Sequence, residues 1–131
     1  MDPQRVEEMA RRHGVLLLVQ FGSSVTGLLH PGSDLDFGAL VERVPDSFSA
    51  QADFIADLQA LVPDREVDLV FLNRADPLLL KQITDHCRLV HGSPRRLDQL
   101  KLYAFKRYQD HRPYLDMEQA YVDRMIAAMV R

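Results

Sequence analysis

The 131 residues carry 16 Lys and Arg against 19 Asp and Glu, a formal net charge of −3, so the chain reads as one domain with no bulk attraction for a nucleic-acid polymer and no direct nucleic-acid binding. Cys87 is the single cysteine. That excludes an intramolecular disulfide, argues against a thiolate zinc site and fits a reducing cytoplasm.

Asp2-Pro3 reads as N-cap and first helical position, Val6, Met9, Ala10 and His13 follow at helical spacing, and Gly14 is a stop. The charges Asp2, Glu7 and Glu8 leave no apolar segment of signal-peptide type here. Val15 to Phe21 is a buried strand by its aliphatic content, too short to span a membrane, and Gly22 ends it. A short helix is expected over 24–29 and a loop over His30-Pro31-Gly32, before a second strand from Leu35 to Val41 with Asp34 at its mouth. Pro45-Asp46-Ser47 restarts a helix whose stripe is Phe54, Ile55, Leu58, Leu61 and Val62. Val67 to Leu72 is the third strand. Asp76-Pro77 caps a helix running to about His86, and Arg88 to His91 is a short edge strand. Gly92-Ser93-Pro94 opens a long helical region, which Pro113 is expected to break or kink into two helices. The alternation predicts an α/β (α+β) sandwich around a small central sheet, with a core over 1–92 and C-terminal helices over 93–131.

Two short segments carry the chemistry. Gly22-Ser23 follows a buried strand, where a glycine turn brings backbone N–H groups close to phosphate oxygens and the next helix offers a positive dipole end. Taken alone, such a turn is more often an ordinary strand–helix connection. Asp34 and Asp36 stand two apart at the start of a strand whose other residues, Leu35, Phe37 and Leu40, are apolar. They share one side of the strand, and ionised carboxylates beside a core ask for a cation; a solvated strand end with Asp34 capping a turn is the equal alternative for the pair alone. Asp68 sits between Val67 and Leu69 in the next strand. If the two strands are neighbours, three carboxylates meet beside the turn, the arrangement of a two-metal site; otherwise Asp68 lies on the exposed face of an edge strand. His13, His30, His86, His91 and His111 show no ligand spacing, and the basic residues from Arg95 to Arg112 read as a solvated helix face.

At Gly22-Ser23, Gly27, Ser33-Asp34-Leu35-Asp36 and Asp68 the chain resembles the nucleotidyltransferase superfamily related to DNA polymerase beta. Its short length, the segment Val67 to Ala75, the Pro77 helix and the Tyr-rich C-terminal region with Arg112-Pro113-Tyr114 are similar to the minimal nucleotidyltransferase (MNT) antitoxins of HEPN/MNT toxin–antitoxin pairs. Many members carry arginines between the motif glycines, where this chain has Ser24, Val25 and Thr26. The resemblance implies a nucleotidyltransferase fold, a small mixed sheet of three core strands flanked by helices, and transfer of AMP from ATP to a tyrosine of a HEPN ribonuclease toxin held in a hetero-oligomer. Gly22, Ser23 and Ser33 would face the triphosphate, with Asp34, Asp36 and Asp68 as catalytic and Mg²⁺-holding carboxylates. A toxin-neutralising binder without catalysis and a small-molecule nucleotidyltransferase are the alternatives.

Overall fold

The computed structural model of the chain describes residues 1–22, 25 and 34–130. Helix α1 (Pro3–His13) begins where the Asp2 carboxylate accepts from the Gln4 N–H at 3.0 Å, and ends at Gly14 with φ +65°. Strand β1 (Val15–Phe21) follows, then β2 (Leu35–Val41). Helix α2 (Phe48–Leu61) is capped by the Ser47 hydroxyl, which accepts from the Ala50 N–H. Strand β3 (Val67–Phe71) passes into a 3₁₀ turn at Leu72–Arg74, so the strand stops one residue before the expected Leu72. Asp76 caps α3 (Pro77–Asp85), β4 spans Arg88–His91, and Ser93 caps α4 (Pro94–Met129). The helix expected over 24–29 and the loop at 30–32 lie outside the described residues, except Val25, whose N–H donates to the Gly22 carbonyl at 3.1 Å.

The strands form one mixed sheet in the order β3-β2-β1-β4. β1 pairs antiparallel with both β2 and β4, and β2 pairs parallel with β3. The three expected core strands are joined at the edge opposite β3 by β4, the short edge strand expected at Arg88 to His91.

Alternation along the strands divides the core in two. One face carries Leu18, Leu35, Phe37, Ala39, Val41 and Val67 against Phe54 and Leu58 of α2 and Met9 and Ala10 of α1. Ile55 belongs to the expected stripe of α2 but stays exposed, because the buried face of that helix is centred on Phe54 and Leu58. The other face packs Leu17 and Val19 against Leu72, Leu80 and Ile83, with Leu97, Leu100 and Ala104 of α4 closing it. Phe37 and Phe54 are fully buried, and truncating either to alanine would cost about 3–5 kcal/mol.

Pro113 does not divide the C-terminal region: α4 is one helix of 36 residues, about 54 Å at 1.5 Å per residue. A proline removes one i→i−4 hydrogen bond and crowds one carbonyl. Here that carbonyl belongs to Gln109, an exposed residue, so water can satisfy it. Among the described residues no helix is both long and apolar enough to cross a membrane.

Candidate active site

The strand pairing brings two of the predicted carboxylates together. In the parallel β2–β3 ladder Asp36 stands opposite Asp68, between the pairs Leu35–Val67 and Phe37–Leu69. Those four apolar neighbours pack into the α1/α2 core, so the period of two turns Asp36 and Asp68 together onto the α3/α4 face. Neighbouring strands lie about 4.8 Å apart, which sets the spacing of the two Cα positions. Asp34 precedes β2 by one residue, shares the parity of Asp36 and is exposed. Asp68 is exposed on an edge strand while Asp36 is partly buried, so the edge-strand reading of Asp68 and its place beside Asp36 hold together.

Both ends of the β2–β3 pair are tied down. At the mouth, the Leu35 N–H donates to the Glu66 carbonyl at 2.9 Å. At the far end the Asn73 side chain mimics a strand: its Oδ1 accepts from the Val41 N–H at 3.0 Å and its Nδ2 donates to the Val41 carbonyl at 2.8 Å. Sequence reasoning gave Asn73 no role. The available signal was an amide side chain just past an apolar strand, because Asn can supply both halves of a backbone pairing.

The electrostatics follow from the crowding. Burial pushes the Asp36 carboxyl above the ordinary 3.8, and the negative charges of Asp68 and then Asp34 push it further. On the other side of β2, Asp36 pairs with Phe21, the last residue of β1, and Gly22 follows. Gly22 has φ +79°, and a Cβ there would collide with Oδ2 of Asp36. The positive φ disfavours a side chain at Gly22, and the Asp36 carboxylate would have to move to admit one. Gly22→Ala should cost about 1–3 kcal/mol of stability through the positive φ and the clash. It should also swing Asp36 out of line and weaken Mg²⁺-dependent ATP binding. Thermal melts beside nucleotide titration check this, and unchanged binding would show that Asp36 is not held by the turn.

Ser23 and Ser33 lie outside the described residues. The donors that remain are carboxylate oxygens, a hard set that suits Mg²⁺. Among the described residues no three acidic, His or Cys side chains form a closed metal cage. Mg²⁺ in phosphoryl-transfer sites needs only one or two protein carboxylates, because substrate phosphates and water complete its octahedron. Such an ion would relieve the repulsion from Asp68 and Asp34 that adds to burial in raising Asp36, so the residues present fit it. The histidine nearest to a cluster, His13, pairs with Asp57 at 2.6 Å and stacks on Phe54 at 4.6 Å between centroids, on the opposite face of the sheet.

A small mixed sheet with paired aspartates on adjacent parallel strands is the framework of a nucleotidyltransferase. The family model described as polymerase beta, nucleotidyltransferase matches residues 4–96, and the chain belongs to that family. Comparison with curated proteins gave no match. Among solved structures, a chain from the crystal structure of a toxin–antitoxin with AMP-PNP shares 24% identity at a TM-score of 0.75, over 96% of this chain and 99% of that one. A second is the structure of a tri-AMPylated Shewanella oneidensis HEPN toxin in complex with an MNT antitoxin, with 22% identity, a TM-score of 0.68 and 95% of each chain covered. Spectinomycin adenyltransferase AAD(9) from Enterococcus faecialis, solved with ATP and spectinomycin, matches at 17% identity and a TM-score of 0.54, over 74% of this chain but 57% of that one. At these identities the likeness is one of fold, and it extends through the C-terminal helix in the first two.

Proposed function

We propose that the chain is an MNT-type antitoxin that transfers AMP from ATP to a tyrosine of a HEPN toxin and silences it in the cytoplasm. The observation that carries the reading is the in-register pair Asp36 and Asp68 with Asp34 beside it. The end-to-end likeness to chains of toxin–antitoxin complexes supports the partner class. The small-molecule alternative is less well supported, because the chain spans only 57% of the spectinomycin enzyme.

In this reading Gly22, Ser23 and Ser33 face the triphosphate, and Asp34 and Asp36 hold Mg²⁺ against it, with Asp68 completing a second position. Bound there, the metal supplies charge neutralisation for the phosphates and the departing pyrophosphate. Asp68 accepts the proton of the incoming phenol, whose ordinary pKa is about 10. The phenolate oxygen forms a bond to the α-phosphorus, the bond from that phosphorus to the bridging oxygen breaks, and pyrophosphate leaves. The protein contributes alignment and fixed charge rather than a covalent intermediate.

Incubating the chain with labelled ATP, Mg²⁺ and the HEPN-type protein encoded beside it should place label and the mass of AMP on the partner. Absence of label on the partner, with Mg²⁺-dependent ATP binding intact, would leave a neutralising binder in place of an enzyme.

A further inference from the structure

The start of β3 is held by a side chain from outside the sheet. Gln59, half-buried in the last turn of α2, sends its amide to the loop over 62–66 that leads into the strand. Its Oε1 accepts from the Val67 N–H at 3.2 Å. Its Nε2 donates to the Val62 carbonyl at 2.9 Å and to the Arg65 carbonyl. The two donor hydrogens and the acceptor oxygen of the amide meet two carbonyls and one N–H, so only one orientation of the side chain satisfies the set.

The bonds to residues 65 and 67 imitate a strand. A residue in a parallel ladder takes the N–H that follows its opposite number and gives its own N–H to the carbonyl that precedes it. Gln59 does this to Glu66 with a side chain. On the inner edge, the Glu66 carbonyl accepts from the Leu35 N–H of β2 at 2.9 Å. Among the described residues β3 has β2 on one side and no strand on the other. At residues 65–67 both edges of the chain are therefore bonded, to β2 on the inside and to Gln59 on the outside. Asp68 is the next residue.

We infer that Gln59 is a positioning residue for Asp68; the inference rests on the function proposed above. Val67 is only 8% exposed, so an N–H released there finds little water, and the strand must shift to satisfy it. Asp68 moves with the strand. The effect stops at β3, because Asp36 lies on β2, which is also paired with β1 along its length, and Asp34 precedes the same strand. Asn73 fastens the far end of the β2–β3 pair. Gln59 fastens the end that carries the carboxylates, and does so from a helix.

The test uses the full chain with ATP, Mg²⁺ and the HEPN-type protein encoded beside it. Gln59→Met keeps the length of the side chain and removes all three bonds. Single-turnover transfer should fall at least ~10-fold, the scale of a displacement of about 1 Å or less, with ATP affinity within ~2-fold of wild type. In an Asp68→Asn background the same change should alter transfer by less than ~2-fold, because the group it positions is already disabled. The amides of Val67 and Asp68 should exchange with solvent at least ~10-fold faster, with those of β1 unchanged. Gln59→Glu, which keeps the bond from Val67 and loses both donors, should fall between wild type and Gln59→Met, and it carries the test if Gln59→Met does not fold. Transfer at the wild-type rate in these variants overturns the inference. So does a joint loss of transfer and ATP binding, which makes Gln59 a support of the whole fold, or an equal loss in the Asp68→Asn background. If wild type places no AMP on the partner, the proposed activity fails, and exchange at Val67 and Asp68 alone upholds or overturns the hold on β3.

Discussion

Asp36→Asn should abolish Mg²⁺-dependent ATP binding and cut AMP transfer by at least ~10³-fold, the scale of removing a principal electrostatic stabiliser, while making the metal-free protein more resistant to heat at pH 7. The two outcomes share one cause. The folded chain holds Asp36 partly buried beside Asp68 and Asp34, which raises its carboxyl above 3.8. A raised carboxyl binds its proton more tightly folded than unfolded, so above the folded value the ionised group costs stability. That cost is relieved as pH falls through the folded value and is gone below 3.8. Asparagine keeps the shape and never ionises. Its thermal advantage should therefore be full at neutral pH and vanish on acidification toward that point. Melting curves from pH 3.5 to 8 without metal, beside calorimetry with Mg²⁺ and ATP, measure both halves. Excess EDTA should bring wild type to the variant's floor of activity. Undiminished transfer by Asp36→Asn, or by wild type in EDTA, would end the carboxylate–metal account.

Asp68→Asn should separate chemistry from binding. Asp68 stands opposite Asp36 but on the edge strand, exposed to whatever approaches. Asparagine preserves the shape of the side chain yet cannot take the phenol's proton. ATP affinity should stay near wild type, held by Asp34 and Asp36, while single-turnover transfer falls by at least ~10²-fold, the low end for a positioned general base. Transfer at the wild-type rate would assign Asp68 to a solvated edge and reduce the site to two carboxylates.

Much of the fold was legible because its punctuation is local. Asp2-Pro3, Ser47, Asp76-Pro77 and Ser93-Pro94 each open a helix with a side-chain oxygen accepting from the backbone N–H two or three residues on. What the sequence could not contain is adjacency. Whether Asp68 meets Asp36 depends on β3 lying parallel beside β2 in one register, a property of the folded sheet. Gly22 was recognisable as a constrained position, and its φ of +79° agrees, but that the Asp36 carboxylate of β2 lies against it is a contact between strands that no spacing reveals. At Pro113 a sound local rule lost to context: one missing hydrogen bond at an exposed turn is too small a defect to end a helix whose first turns are anchored by Leu97, Leu100 and Ala104.

The clasp of Asn73 on Val41 has a reach that its position conceals. A strand displaced by one residue turns every side chain to the other face, so a slip of β3 would bury Asp68 in the α1/α2 core and leave Asp36 without its neighbour. Parallel edge strands are the more weakly held kind, and β3 is one. Asn73 bonds to both backbone groups of Val41, five residues along the chain from Asp36. The alignment of the two paired carboxylates is thus stored in an amide that touches neither of them.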